Sequence, residues 1–228
     1  MNTLIKVEHL NYSIPYGKDI LKDISFELRE GEFMGILGLN GSGKTTLMDL
    51  LLGFRPPTSG KVEVLKESPS SFSRKNLQSL CFLAHDSIAK GNLTIDQLLN
   101  WYADLYPDYS REEEKFLMDF FKLNRDDKIG SLSTGQQRKA QAVAAFSARP
   151  KIVLIDEITA VLDPETRNQF FKVIHHLKTK NKMSFILATN IAEDLIGRAD
   201  SVLFIDQGHA TIRQSSEILN LFKIEKAS

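Results

Sequence analysis

Residues 38–45 read GLNGSGKT and satisfy the spacing G-x-x-x-x-G-K-[ST]. Each residue type there has a task that a phosphate ligand calls for. The glycines let the backbone wrap tightly, so that successive N–H groups face inward as an anion nest. A helix starting near Gly43 adds the positive end of its dipole. Lys44 can reach the outer phosphates, and the Thr45 hydroxyl can sit on Mg²⁺. An apolar strand, "GEFMGILG", leads into the loop, and a helix, "TTLMDLLLG", leaves it. That context separates the loop from a chance glycine-rich turn. The pattern points to a nucleoside triphosphate and leaves the reaction open.

Further stretches supply partners. "IVLIDE", residues 152–157, is a buried-type strand ending in two carboxylates. Asp156 is placed to hold Mg²⁺ through water. Glu157 is one residue on, so the pleat aims it elsewhere, where it can address a water in line with a terminal phosphate. "LSTGQQRKAQAVAAF", residues 132–146, opens a helix with Ser133 and Gly135, a second helix N-terminus with a hydroxyl and a glycine. Asn190 follows the apolar run 183–188, at a strand end of the kind where α/β proteins place their chemistry.

Strands and helices must position these groups. "IKVEHLNYSI" and "ILKDISFEL" alternate as strands, and "GKVEVL" returns to strand. Residues 88–147 turn helical. Ile95, Leu98, Leu99 and Tyr102 mark one helix. Ser110 and Glu113 suggest a capping box for a second, with an apolar face of Phe116, Leu117, Phe120 and Phe121. The acidic run Glu112–Glu114 reads as a solvated helix start and not as a metal site. The last third alternates: strand "KIVLID", helix from Pro164, strand "SFILAT", helix near Ile191–Ile196, strand "SVLFID". Parallel strands with helical crossovers follow. The expected fold is α/β: a phosphate-loop cassette of residues 1–228 with a parallel core sheet (1–87 and 148–228), an N-terminal antiparallel β part and an inserted helical subdomain (88–147).

Composition narrows the class. The 228 residues carry 29 basic and 29 acidic side chains, so no nucleic-acid partner is expected. The single cysteine, Cys81, forbids an internal disulfide, fits a reducing compartment and reads as a small core residue. No apolar run approaches the ~18 residues of a membrane helix, and no signal core opens the chain. The expected location is cytoplasmic, with any membrane role requiring a separate membrane protein.

Taken in order, the phosphate loop, LSTGQ and "IVLIDE" resemble the nucleotide-binding domain of ATP-binding cassette (ABC) proteins. LSTGQ (Leu132, Ser133, Thr134, Gly135, Gln136) is similar to the LSGGQ signature, with Thr134 in place of its first glycine. "ITAVLD" looks like the D-loop, with Asp163 in place. The resemblance implies ATP and Mg²⁺, bound by Gly38, Leu39, Asn40, Gly41, Ser42, Gly43, Lys44, Thr45 and Thr46. It implies Asp156 and Thr45 at the metal and Glu157 at the attacking water. It also implies two such domains, a homodimer or heterodimer, clamping ATP between the phosphate loop of one and the signature of the other. An aromatic residue upstream stacks on adenine in this family: Tyr16 in "PYGKDIL", with Tyr12 the alternative.

Two positions depart from the family. His85 stands where it has a glutamine that helps the metal and the water. Asn190 stands where it has a histidine that donates to the γ-phosphate. Asn190 keeps an amide donor but cannot become cationic. Losing one transition-state donor costs about 10²–10³ in rate, and a present but altered donor costs less. Catalytic candidates are therefore Glu157, His85 and Asn190, His85 also being a metal candidate, with slow ATP turnover expected. A sharper idea is that His85 supplies the imidazole that position 190 lacks.

A bare cassette without a membrane span resembles the separate ATPase subunit of a transporter, peripheral on the inner membrane face through a permease. The segment "WYADLYPDYSREEEKFLMDFFKLNRDDKIGSLSTGQ" is similar to cassettes paired with two-part exporters, including the peptide-antibiotic efflux group. Trp101, Tyr102 and Tyr106 line a dock for a permease helix or, equally, form subdomain core. The alternative of another class is a non-transport regulatory or dimerisation subunit gated by ATP. A P-loop kinase leaves LSTGQ unexplained.

Overall fold

The alternating N-terminal segments form an antiparallel pair, β1 (Thr3–Ser13) and β2 (Asp19–Arg29), in the computed structural model, which describes residues 2–84, 92–215 and 217. Their inward positions, among them Ile5, Val7 and Leu10 on β1 and Ile24, Phe26 and Leu28 on β2, are buried. β3 (Phe33–Leu37) leads through the phosphate loop into α1 (Lys44–Leu51), and β4 (Ser59–Val64) pairs back on β1. The first sheet therefore runs β2-β1-β4. α2 (Arg74–Leu77) and β5 (Leu80–Leu83) precede three helices, α3 (Ile95–Leu105), α4 (Arg111–Phe121) and α5 (Thr134–Ser147). Then come β6 (Ile152–Asp156), α6 (Pro164–Asn181), β7 (Ser184–Thr189), β8 (Ser201–Asp206) and β9 (His209–Gln214).

The second sheet has the order β5-β6-β7-β3-β8-β9, parallel as far as β8 and antiparallel at β9. β3, β6 and β7 are buried at every residue, which is why their sequences are near-continuous apolar runs. The pleat divides their side chains between two cores. Met34, Ile36, Leu154 and Ile186 face β1, β2 and α1, whereas Phe33, Val153, Phe185 and Leu187 face α3 to α6. Phe146 of α5 lies 5.9 Å from Phe185 and 5.7 Å from Phe170 of α6, joining sheet and helices. Burying each such ring stabilises the fold by about 1.5–3 kcal/mol. Cys81 is buried in the same core beside the Tyr106 hydroxyl, and burial pushes its thiol pKa up to about 11.

The acidic run is not solvated. Glu113 and Glu114 are buried, and only Glu112 faces water. Glu114 accepts from the Tyr109 hydroxyl, Arg111 and Arg125, and Glu113 from Lys180 and Asn181 of α6. The Ser110 hydroxyl caps Glu113 N–H at 3.2 Å, while the Glu113 carboxylate turns to α6 instead of completing a capping box. On the apolar face Met118 is buried with Leu117 and Phe121, while Phe116 is exposed and stacks on Phe120 and His176. The helix expected at Ile191–Ile196 is a single 3₁₀ turn, Ala192–Asp194. Tyr102 and Tyr106 stack at 5.6 Å within the helical core, and Trp101 alone of the three aromatics is exposed.

Candidate functional site

β7 lies between β3 and β6, and the strands end level: Leu37 pairs with Thr189, and Asp156 with Ala188. The phosphate loop after β3, the carboxylates closing β6 and Asn190 after β7 therefore share one edge of the sheet. This is the carboxyl edge, where open α/β sheets bind ligands.

The loop's shape is set by its glycines. A Cβ on Gly38 would lie 2.4 Å from Ser42 Oγ and 2.6 Å from the Ile205 carbonyl, so the loop passes too close for any side chain there. Gly43, at φ 108, makes the left-handed turn into α1. Lys44 is buried, and its ammonium donates to the carbonyls of Gly38 (3.0 Å) and Leu39 (3.2 Å) and pairs with Glu157 at 3.1 Å. The Thr45 hydroxyl donates to Asp156 Oδ2 at 2.9 Å. The other Asp156 oxygen is buried without a protein donor among the described residues, as is Ser42 Oγ. Burial pushes the Asp156 carboxyl above its usual range, against the opposing pull of Thr45 and Lys44.

A cleft of about 360 Å³ opens over this loop, walled by Asn40, Gly41, Lys44, Thr45, Thr46 and Glu157. Ile20 of β2 also lines it, a contribution that the alternating pattern of β2 gave no reason to single out. Glu157 itself has φ 50 and ψ 21, a left-handed conformation costly for a non-glycine residue, and its N–H donates to the Ala188 carbonyl. Asn190 Nδ2 donates to Asn40 Oδ1 at 3.1 Å. His85 lies outside the described residues.

LSTGQ forms a separate surface. Ser133 caps α5 in a reciprocal box with Gln136, and Ser133, Thr134 and Gln136 are exposed. A Cβ on Gly135 would meet nothing within 4 Å, so nothing in the described chain requires glycine there. None of these five residues lines the phosphate-loop cleft. Arg138 of α5 donates to the Ala84 carbonyl, joining the LSTGQ helix to the end of β5. Asp163 caps α6 by accepting from Thr166 N–H at 2.9 Å, and the Thr166 side chain, followed by that N–H, lowers its carboxyl pKa. Tyr12 is buried, with its hydroxyl accepting from Arg55, whereas Tyr16 is fully exposed; neither lines the cleft.

Comparison with known proteins gives the same direction. A family model described as ABC transporter matches residues 21–160. A Mycoplasma pneumoniae protein described as an ABC transporter ATP-binding protein is 27% identical over 215 residues, covering 90% of this chain and 64% of its own length. The carnitine transport ATP-binding protein OpuCA of Listeria monocytogenes is 26% identical over 213 residues, 90% of this chain and 53% of its own. The chain thus spans somewhat over half the length of these relatives. Among solved structures, cbiO1 from Clostridium perfringens, part of the ABC transporter complex cbiONQ, superposes with a TM-score of 0.84 at 23% identity, covering 100% of this chain and 94% of that one. At that identity the likeness speaks to the fold. No helix among the described residues is long and apolar enough to cross a membrane.

Proposed function

The chain belongs to the ABC transporter family, and we propose that it binds and hydrolyses ATP, dimerises around it, and powers a separate membrane permease. One observation carries this reading: Lys44 and Thr45 of α1 and Glu157 after β6 wall a single cleft, and Asp156 at the end of β6 accepts a hydrogen bond from Thr45. In it the loop N–H groups and Lys44 receive the phosphates, exchanging the Glu157 carboxylate at Lys44 for phosphate oxygens. Thr45 and Asp156 fit a magnesium ion, since Asp156 keeps one buried oxygen without a protein donor. Mg²⁺, when bound, neutralises charge on the phosphate oxygens. Glu157 then orients or deprotonates the attacking water. The resemblance adds His85 at the metal and water.

Several features support the finer parts. The exposed LSTGQ helix start, with open space over Gly135, suits the ATP of a second domain. Residues 88–147 act as the unit that presents it, within a cassette formed by 1–228. Tyr16, exposed while Tyr12 is tied to Arg55, is the ring free to stack on adenine. Export is the proposed direction, on the likeness of residues 101–136 to cassettes of two-part exporters, and the location is peripheral on the inner membrane face. Turnover is slow because position 190 offers a neutral amide.

The test is direct. The purified chain, with its permease if needed, binds ATP in a Mg²⁺-dependent manner and releases phosphate, and Lys44→Ala abolishes both. A multi-span protein co-purifies from detergent-solubilised membranes; its absence would favour the regulatory alternative. Cells making both proteins gain tolerance to peptide antibiotics, and unchanged tolerance would sink the efflux assignment.

A further inference from the structure

Asn190 does not line the phosphate-loop cleft, but its hydrogen-bond partner Asn40 does. The bond joins residues 150 positions apart in the chain, in the segments that leave the neighbouring strands β3 and β7. Each end has a different mount. Asn190 stands on the rigid end of β7: the Thr189 hydroxyl accepts the Ile191 N–H at 3.0 Å, and Thr189 is buried at 1% exposure. Beyond it, Asp194 is buried and faces Arg167 of α6 at 3.6 Å. Asn40 stands at the exposed tip of the phosphate loop, between Leu39, whose carbonyl accepts from Ser42 N–H, and Gly41 at φ 79. The loop is pinned from below by Lys44 on the Gly38 and Leu39 carbonyls. From above, the Asn190 amide reaches its tip and donates to Asn40 Oδ1.

We propose that Asn190 is a positioning residue: it latches the phosphate loop in its nest conformation through Asn40, and does not read the terminal phosphate itself. This rests on the nucleotide-binding reading above and gives a physical reason for slow turnover. An amide committed to the loop shapes the grip on every phosphate alike, whereas a donor aimed at the γ-phosphate favours ATP over ADP. It also carries no charge, so its contribution does not change between pH 6 and 8.

Affinities for ATP and ADP in Asn40→Ala, Asn190→Ala and the double variant separate the two roles. Expected is a loss of about two- to fivefold, the low end for one neutral hydrogen bond at an exposed position, equal for ATP and ADP. The double variant loses no more than the worse single one, and thermal stability is unchanged. Weakened ATP binding with ADP binding intact would overturn the proposal, as would additive losses. Amide hydrogen exchange in the nucleotide-free chain is an independent reading: residues 41–43 exchange faster in Asn190→Ala, and unchanged exchange counts against the latch. Failure of the wild-type chain to bind either nucleotide would remove the functional reading, while the exchange result would still decide whether the latch exists.

Discussion

Replacing Glu114 by glutamine isolates the charge at the root of the helical insert. The carboxylate is 1% exposed, whereas Arg111 and Arg125 beside it are 54% and 42% exposed. Glutamine keeps the shape and one acceptor but loses the second acceptor and the charge. A hydrogen bond to a charged group contributes about 1.5–3 kcal/mol net. The freed guanidinium groups are half in water and rehydrate, which limits the loss to about 2–3 kcal/mol. At about 2–4 °C per kcal/mol for a chain of this size, Tm falls by roughly 4–12 °C. The reverse operation is worse. Arg111→Met with Arg125→Met leaves the buried carboxylate with only the Tyr109 hydroxyl, and an uncompensated buried charge costs about 3–5 kcal/mol. Thermal melts by circular dichroism measure both, and nucleotide affinity at the phosphate loop should not move. A Tm change below about 1 °C for Glu114→Gln, or a double arginine variant no less stable than it, would falsify this account of the buried carboxylate.

Further outcomes follow from the site. Asp156 has its pKa raised in the folded chain, so its contribution to stability is greatest below the unfolded carboxyl range and falls as pH rises through the folded value. Asp156→Asn should therefore flatten the pH dependence of nucleotide-free melts and raise Tm at pH 7, while abolishing Mg²⁺-dependent nucleotide binding. Gly135→Ala should leave Tm within about 1 °C or raise it, since alanine suits a helix better and meets no atom within 4 Å; hydrolysis should fall at least tenfold if, as in the proposed dimer, the new methyl meets the partner's nucleotide. Asn190→His should raise kcat by up to the roughly 10² that a transition-state donor supplies, and a phosphate-release assay showing no gain removes position 190 as the cause of the slow turnover proposed above.

The parts of the site legible in the sequence were those whose neighbours are close in the chain. Gly38 to Thr46 form loop and helix start within nine residues, and "IVLID" declares a doubly covered strand by its apolar run. What the sequence could not show were pairings across long separations. Glu113 and Glu114 looked solvated because three of their partners, Arg125, Lys180 and Asn181, lie outside α4. Phe116 looked buried because an apolar stripe fits it as well as Met118, and only the packing of α4 chooses between them. β9 went unread because "HATIRQ" is mostly exposed and nearly lacks alternation. Its signal was the turn at Gln207-Gly208, both left-handed, which reverses the chain onto β8. The Asn40–Asn190 bond has no sequence signature at all.

Cys81 has a practical consequence. It is the only cysteine of the 228 residues, it is buried, and with a thiol pKa of about 11 only roughly 10⁻⁴ of it is thiolate at pH 7. The native chain is therefore nearly silent to maleimides and needs no cysteine removed before probes are attached. A single cysteine at exposed Thr134, carrying a spin label, would report how far two copies stand apart as ATP is added, with the core that holds Cys81 left untouched.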